Sequence, residues 1–301
     1  MIERVSTGIP RLDAMLDGGL LPGSLTVVYG ATGIGKSHLG LTFADHGRVA
    51  DGGDATARTR GIVLDMNGRG DAQQHHEYAA RLFHWTLGTW THTVMPMADP
   101  YPPRDQMDAF YSNALRWVGR VRDFQVPTTD GGWEFDWNWK AAYNHALYTV
   151  RPFMYFHFAA GTRRVVADGV EPMDAPADSI QFLMFEEIYR TAIHRDAETL
   201  GMEICLPVGK HRAFIDAHRY DHRHITTLLL VTSEDTRLDD LLARKVATGD
   251  LGATANTVLV MGSERVGNRL ARLMAVVKHR ASAMSDEIAE YRIGPAGLEL
   301  V

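Results

Sequence analysis

The chain has a single cysteine, Cys205, among its 301 residues. No internal disulfide can form, which excludes a disulfide-stapled scaffold and fits a reducing cytoplasm. No apolar run approaches the roughly 18–20 residues that span a bilayer, so no membrane-spanning helix is expected. The opening MIERVSTGIPRLDAM holds no apolar stretch of the kind a secretory signal needs. There is no excess of positive charge: the net charge is −6, which argues against a general nucleic-acid coat and leaves room only for a local basic patch. There is no internal repeat and no low-complexity tail. At 45% hydrophobic and 23% charged residues, the chain has the apolar material for a real core, and a disordered or collagen-like chain is excluded. Its length fits one large domain or two ordinary ones.

Strand and helix patterns alternate along the chain. Short apolar runs at Leu25–Tyr29, Gly61–Leu64, Arg163–Ala167, His224–Thr232 and Thr257–Met261 predict buried strands. Helices are predicted at Ser37–Ala44, Asp71–Phe83, Gln106–Phe124, Phe135–Phe153, Asp178–Gly201 and Leu238–Ala247. Residues 84–104 read as irregular, broken by Pro96, Pro100, Pro102 and Pro103. Arg269–Lys278 and Glu287–Ile293 read as a closing hairpin. The alternation predicts an α/β fold with a mainly parallel central sheet flanked by helices, plus a C-terminal antiparallel hairpin.

Gly30-Ala31-Thr32-Gly33-Ile34-Gly35-Lys36-Ser37 fits G-x-x-x-x-G-K-[ST] in full, after a strand and before a helix. Glycines let backbone amides turn inward, and with the helix N-terminus they form a nest for phosphates. Lys36 supplies positive charge to the β- and γ-phosphates, and the Ser37 hydroxyl suits Mg²⁺. Residues 30–37 with His38 are therefore the expected nucleotide-binding residues. A second Mg²⁺ ligand should be an acid at a neighbouring strand end. Two fit: Asp65 after Ile62-Val63-Leu64 and Asp168 after Val165-Val166-Ala167.

The block VSTGIPRLDAMLDGGLLPGSLTVVYGATGIGKS, residues 5–37, resembles the KaiC-like branch of the RecA superfamily, with Thr7, Gly8, Leu12, Asp13, Gly18, Gly19, Gly23 and the loop at matching positions. LLLVTSED at 228–235 resembles the core strand of that branch, and RLARLMAVVKHRASAMSDEIAEYRIGPAGLELV resembles its C-terminal block. Residues 70–160 have no convincing counterpart. The resemblance implies one RecA-like core over residues 1–301, with 84–160 as an aromatic-rich insertion. It also implies ATP and Mg²⁺ as ligands and assembly into rings or filaments with ATP between subunits. It favours Asp168 as the metal acid. Lys278 and Arg280 occupy its K-x-R positions, which implies that they reach a neighbour's γ-phosphate and stabilise charge there.

One departure bears on catalysis. The branch usually carries two adjacent Glu after its second strand, one of which orients the attacking water. Aligned on Gly61, those positions here are Asn67 and Gly68. Asn holds a water but cannot accept its proton. Asp65, two residues earlier on an alternating strand position, is a candidate substitute; slow hydrolysis, reliance on Asp65 and loss of hydrolysis are the open expectations.

Two clusters stand apart. GKHRAFIDAHRYDHRH at 209–224 holds His211, His218, His222 and His224, with His218 and His222 spaced to share a helix face. A solvated mixed-charge face, an anion contact and a metal site remain open, the first being the commonest. All six Trp fall between residues 85 and 139, and Trp133, Phe135, Trp137 and Trp139 lie within seven residues. Burial, a protein-docking surface and base stacking are the candidate roles. His157 reads as a satisfied core histidine, and the pair Glu186-Glu187 as a solvated helix face.

The expected function is a cytoplasmic, oligomeric, slowly hydrolysing regulatory ATPase of the KaiC-like kind. Two alternatives stand: an inactive ATP-binding scaffold that recruits a protein through 84–160, and a DNA-handling ATPase, which the net charge of −6 disfavours.

Overall fold

The computed structural model describes residues 3–50, 60–68, 74–90, 108–173 and 175–301. The chain opens with α1 (Pro10–Met15), β1 (Leu25–Gly30), α2 (Lys36–Ala50), β2 (Ile62–Asp65), α3 (His75–Phe83), β3 (Thr89–Trp90) and β4 (Ala109–Tyr111). A small ribbon, β5 (Gln125–Pro127) with β6 (Trp133–Phe135), leads into α4 (Trp137–Ala159) and β7 (Arg164–Val170). Helices α5 (Ile180–Ile188), α6 (Ala197–Ile204) and α7 (Val208–Ala217) precede β8 (Thr226–Thr232), α8 (Leu238–Leu242) and α9 (Leu251–Thr254). The chain closes with β9 (Thr257–Val266), β10 (Arg269–His279), β11 (Ile288–Gly294) and β12 (Gly297–Leu300).

Ten strands form one sheet in the order β12-β11-β10-β9-β1-β8-β7-β2-β4-β3. The run from β9 to β3 is parallel, and β10, β11 and β12 add antiparallel at the other edge. This is the expected class. The central strands are buried along nearly their whole length because helices cover both faces, which is why β1 and β8 are buried at successive positions rather than at alternate ones. One face packs on α1, α2 and α3, and the other on the helices from α4 onward.

Three sequence expectations fail locally. Residues 108–124 are not a helix: Ala109–Tyr111 pairs with β2, and short 3-10 turns follow at Asn113–Arg116 and Val121–Phe124. Phe110, Ala114 and Leu115 recur at near-helical steps because a turn folds all three onto one core. Gln106 and Met107 lie outside the described residues, as do Asp71 to Gln73 and the four prolines of 96–103. The long helix over 178–201 is divided into α5, a π-helical turn at Tyr189–Ile193 and α6. Asp196 starts the last piece by accepting the Thr199 N–H at 3.0 Å. The helix expected over Leu238–Ala247 stops at Leu242.

The Trp cluster splits. Trp85, Trp90 and Trp139 are buried, whereas Trp133 and Trp137 are 68% and 77% exposed. Trp139 stacks between Phe135 and Tyr143, at 4.4 and 4.8 Å between ring centres. His157 packs on Phe153, and Glu187 pairs with Arg190 on the surface.

The N-terminal TG…LD segment is held by one carboxylate. Asp13 accepts the Thr7 N–H and hydroxyl, each at 2.7 Å, and the Ser6 hydroxyl at 2.5 Å. This fastens the turn to α1 over the buried Leu12 and Leu16. Hydrogen bonds to a charged acceptor contribute more than neutral ones, and their loss leaves Thr7 unsatisfied. Asp13→Ala is expected to lower stability by about 2 kcal/mol in urea unfolding. An unchanged midpoint would contradict this role.

Candidate functional site

β1 ends at Gly30, level with Thr232 of β8 and Met261 of β9, and the chain turns there into α2. The turn leaves the helix N-terminus facing the C-terminal ends of the parallel strands, where open α/β sheets bind ligands. Gly35 has φ +116°, and a Cβ there would lie 2.6 Å from Ile293 of β11. The Tyr291 hydroxyl donates to Ile34 O at 2.7 Å. The C-terminal strands thus grip the loop from outside.

Lys36 is nearly buried, and its Nζ donates to Gly30 O at 2.7 Å and Ala31 O at 2.9 Å. Burial pulls its pKa down to about 8, against the opposing pull of Asp168 and Glu171. Asp168 is buried at the end of β7. Burial pushes its carboxyl up, but hydrogen bonds from His75 and Ser37, with the His75 and Lys36 charges, hold it below the ordinary carboxylate range. His75 Nε2 stands 2.8 Å from Asp168 Oδ2. Burial disfavours a charged His75, but Asp168 outweighs it and raises the imidazole's pKa. Lys36, Ser37, His75 and Asp168 are therefore one electrostatic unit.

Asp65 and Asp168 are direct neighbours in register across β2 and β7. Their partners differ. Asp65 is ion-paired with Arg116, whose guanidinium also sits 4.0 Å over the Tyr111 ring, and it accepts the Asn67 N–H at 3.1 Å. Asp168, not Asp65, contacts the loop.

A cleft opens above this unit. Thr32, Lys36 and Ser37 line its floor, with Asn67, Glu171 and Thr232 at strand ends and Ile293 on the outer side. His38 and Tyr78 form a wall, their rings 4.6 Å apart. Burial first, and then Arg81, lower the His38 pKa.

Lys278 and Arg280 lie elsewhere. Lys278 Nζ donates to Gly252 O and Ala253 O, and Arg280 donates to Ala253 O and Thr254 O. The Arg280 N–H binds Asn256 O, and Asn256 pairs with Leu25 at the start of β1. The loop is at the other end of that strand, about 17 Å away at the rise of a strand residue. The two cations cannot serve the phosphate loop of their own chain.

The donor set fits Mg²⁺. Ser37 and Asp168 present hard oxygen ligands already in mutual contact, and Mg²⁺ is bound through one or two such groups plus phosphates. Among the described residues no group of three or more His, Cys, Asp or Glu is arranged to hold a metal. The segment 209–224 accordingly forms a mixed-charge surface. Arg212 and Arg219 pair with Glu198 and Asp216, and Arg223 pairs with Asp221. His218 and His222 do not share a helix face: His218 ends α7, and His222 begins a separate 3-10 turn.

Sequence reading passed over His75, Tyr78, Glu171 and Gln181. His75 gave no signal, because its partner is 93 positions away. Glu171 did, being an acid three residues after Asp168.

Residues 5–54 match the family model described as "ATPase: KaiC". Among solved structures the chain is similar to a KaiC-like protein from the hyperthermophilic archaeon Pyrococcus horikoshii, with 16% identity, a TM-score of 0.53 and all of both chains covered. No curated protein matches the sequence. The family match lies on the TG…LD segment, the loop and α2, and the structural likeness carries the same fold through the rest. The chain thus shares the fold of that KaiC-like protein, and the family match rests on residues 5–54.

The buried Lys36 ammonium makes a testable electrostatic demand. Its folded pKa of about 8 lies below the ordinary 10.5, so the folded state binds fewer protons between those values. Its charge therefore opposes folding below pH 8, and that penalty lifts as pH rises to 10.5. Wild type is expected to gain stability relative to Lys36→Met by up to about 3 kcal/mol across this window. Unfolding curves of the two proteins, compared from pH 7.5 to 10.5, measure it; a constant difference would contradict the burial penalty.

Proposed function

We propose that this protein binds ATP with Mg²⁺ in the cleft over Lys36 and hydrolyses it slowly, as an oligomeric regulatory ATPase with ATP at subunit interfaces. The observation that carries the reading is the contact of Ser37 with Asp168 directly beside Lys36, at the ends of β1 and β7. Loop amides and the α2 N-terminus would cradle the phosphates, and Lys36 would leave its carbonyl partners to meet the β- and γ-oxygens. Mg²⁺, held by Ser37 and Asp168, would supply charge neutralisation on the phosphates. His75 keeps the Asp168 carboxylate charged and oriented for that duty.

The position of Lys278 and Arg280 supports action on a neighbouring subunit's nucleotide. They would lend it positive charge only when a second copy seats its loop against them. We read residues 1–301 as one such domain, working in the cytoplasm. Among the described residues no helix is long and apolar enough to cross a membrane. The exposed Trp133 and Trp137 are the proposed contacts for a protein partner. A non-hydrolysing ATP-bound scaffold is the second reading, favoured by Asn67 at the usual Glu position and by the Arg116 clamp on Asp65. DNA handling has less support, since the arginines of 209–224 are already paired.

Lys36→Ala is expected to lose ATP binding and to release phosphate at least about 100-fold more slowly than wild type; equal release by both proteins would sink the ATPase reading. A mixing experiment addresses the interface. Lys278→Ala/Arg280→Ala and Lys36→Ala should each be inactive alone, yet recover part of the wild-type rate when combined, because some interfaces then pair an intact loop with intact cations. No recovery in a mixture proven to co-assemble would rule out the shared site.

A further inference from the structure

We propose that Glu171 is the general base of hydrolysis, replacing the glutamate that Asn67 displaces; this rests on the ATPase reading above.

The placement comes from one irregularity in β7. Val165 and Ala167 point into the core beneath α4, whereas Val166 packs on the α2 side, and Asp168 follows on that same side beside Ser37. Strict alternation would send Val170 toward α2 and Glu171 away from the nucleotide. The register with β8 instead shifts between Asp168 and Val170. The extra residue is Gly169, at φ +89°, where a Cβ would lie 2.7 Å from the Asn67 Cα. The bulge returns Val170 to the α4-side core and brings Glu171 back to the face that carries Asp168. Glu171 there lines the cleft with Lys36 and Asn67, and its charge acts on Lys36.

A buried amide holds this arrangement. The Gln181 side chain accepts the Glu171 N–H at 2.7 Å and donates to Met66 O at 2.5 Å and Leu115 O at 3.1 Å. It joins the end of β2, which bears Asn67, to the end of β7, which bears Glu171. The competing carboxylate, Asp65, is engaged by Arg116. The roles divide accordingly. Asn67 holds the water through its amide. The water oxygen forms a bond to the γ-phosphorus while its proton passes to the Glu171 carboxylate and on to solvent. The bond from the γ-phosphorus to the β–γ bridging oxygen breaks, and its electron pair leaves on ADP.

The test compares wild type, Glu171→Gln, Glu171→Asp and Asp65→Asn in two assays. One is titration with a fluorescent ATP analogue and Mg²⁺; the other is phosphate release. Removal of a general base typically costs 10²–10⁴-fold. Glu171→Gln is expected to release phosphate at least about 100-fold more slowly, with affinity within about threefold of wild type and with intact ATP recovered from the isolated complex. Glu171→Asp should keep part of the rate, and Asp65→Asn should lose less than about tenfold. Turnover by Glu171→Gln near the wild-type rate, or loss of its ATP affinity, overturns the assignment while leaving the ATPase reading standing. Wild-type binding without turnover overturns both.

Discussion

The hydrogen-bonded contact between Asp168 and the phosphate loop is the constraint on which the rest of the molecule turns. A fully buried carboxylate is costly unless it is paired, and here its neighbours come from two helix ends: Ser37 and Lys36 at the head of α2, and His75 at the head of α3. To bring them together, β1 and β7 must flank β8 in parallel and α3 must pack on α2. The sheet order is thus the geometry that lets one buried charge be satisfied. Lys36 shares in the bargain, because its own burial is tolerable only beside the carbonyls of Gly30 and Ala31 and the field of Asp168 and Glu171.

The two ends of the sheet carry different chemistry. At the C-terminal ends of the parallel strands lie the loop, Asp168, Asn67 and Glu171. At the opposite end lie Lys278 and Arg280, resting on the last carbonyls of α9. In the proposed assembly, a loop at one end and cations at the other would suit a head-to-tail contact between copies, the kind that closes into rings or grows into filaments.

Much of this was legible in the residues. The loop pattern located the glycine-rich turn into α2, and the short apolar runs located the central parallel strands. The TG…LD segment pointed to the correct fold because its Asp13 and Thr7 are bound to each other. Local patterns misled where a neighbour decided the outcome. Phe110 sits in a helix-like periodicity yet forms a strand, because β2 offers it an edge to pair with. Asp65 and Asp168 looked equivalent as strand-end acids, and they are adjacent in register. Their partners distinguish them: Arg116, 51 residues from Asp65, occupies the one, while Ser37 and His75 bind the other.

By itself, the amino-acid order determined the class of fold, the phosphate-binding turn and the absence of a glutamate at Asn67. Each of these is written in residues close together in the chain, where backbone freedom, strand apolarity and motif spacing act locally. Tertiary structure alone decided which acid meets the loop, that His75 holds it, that Glu171 faces the cleft and that Lys278 and Arg280 lie away from the loop of their own chain. Those outcomes depend on a one-residue bulge at Gly169 and on partners tens to hundreds of positions away. No local pattern encodes them, because charge pairing and side-chain direction are properties of the packed sheet.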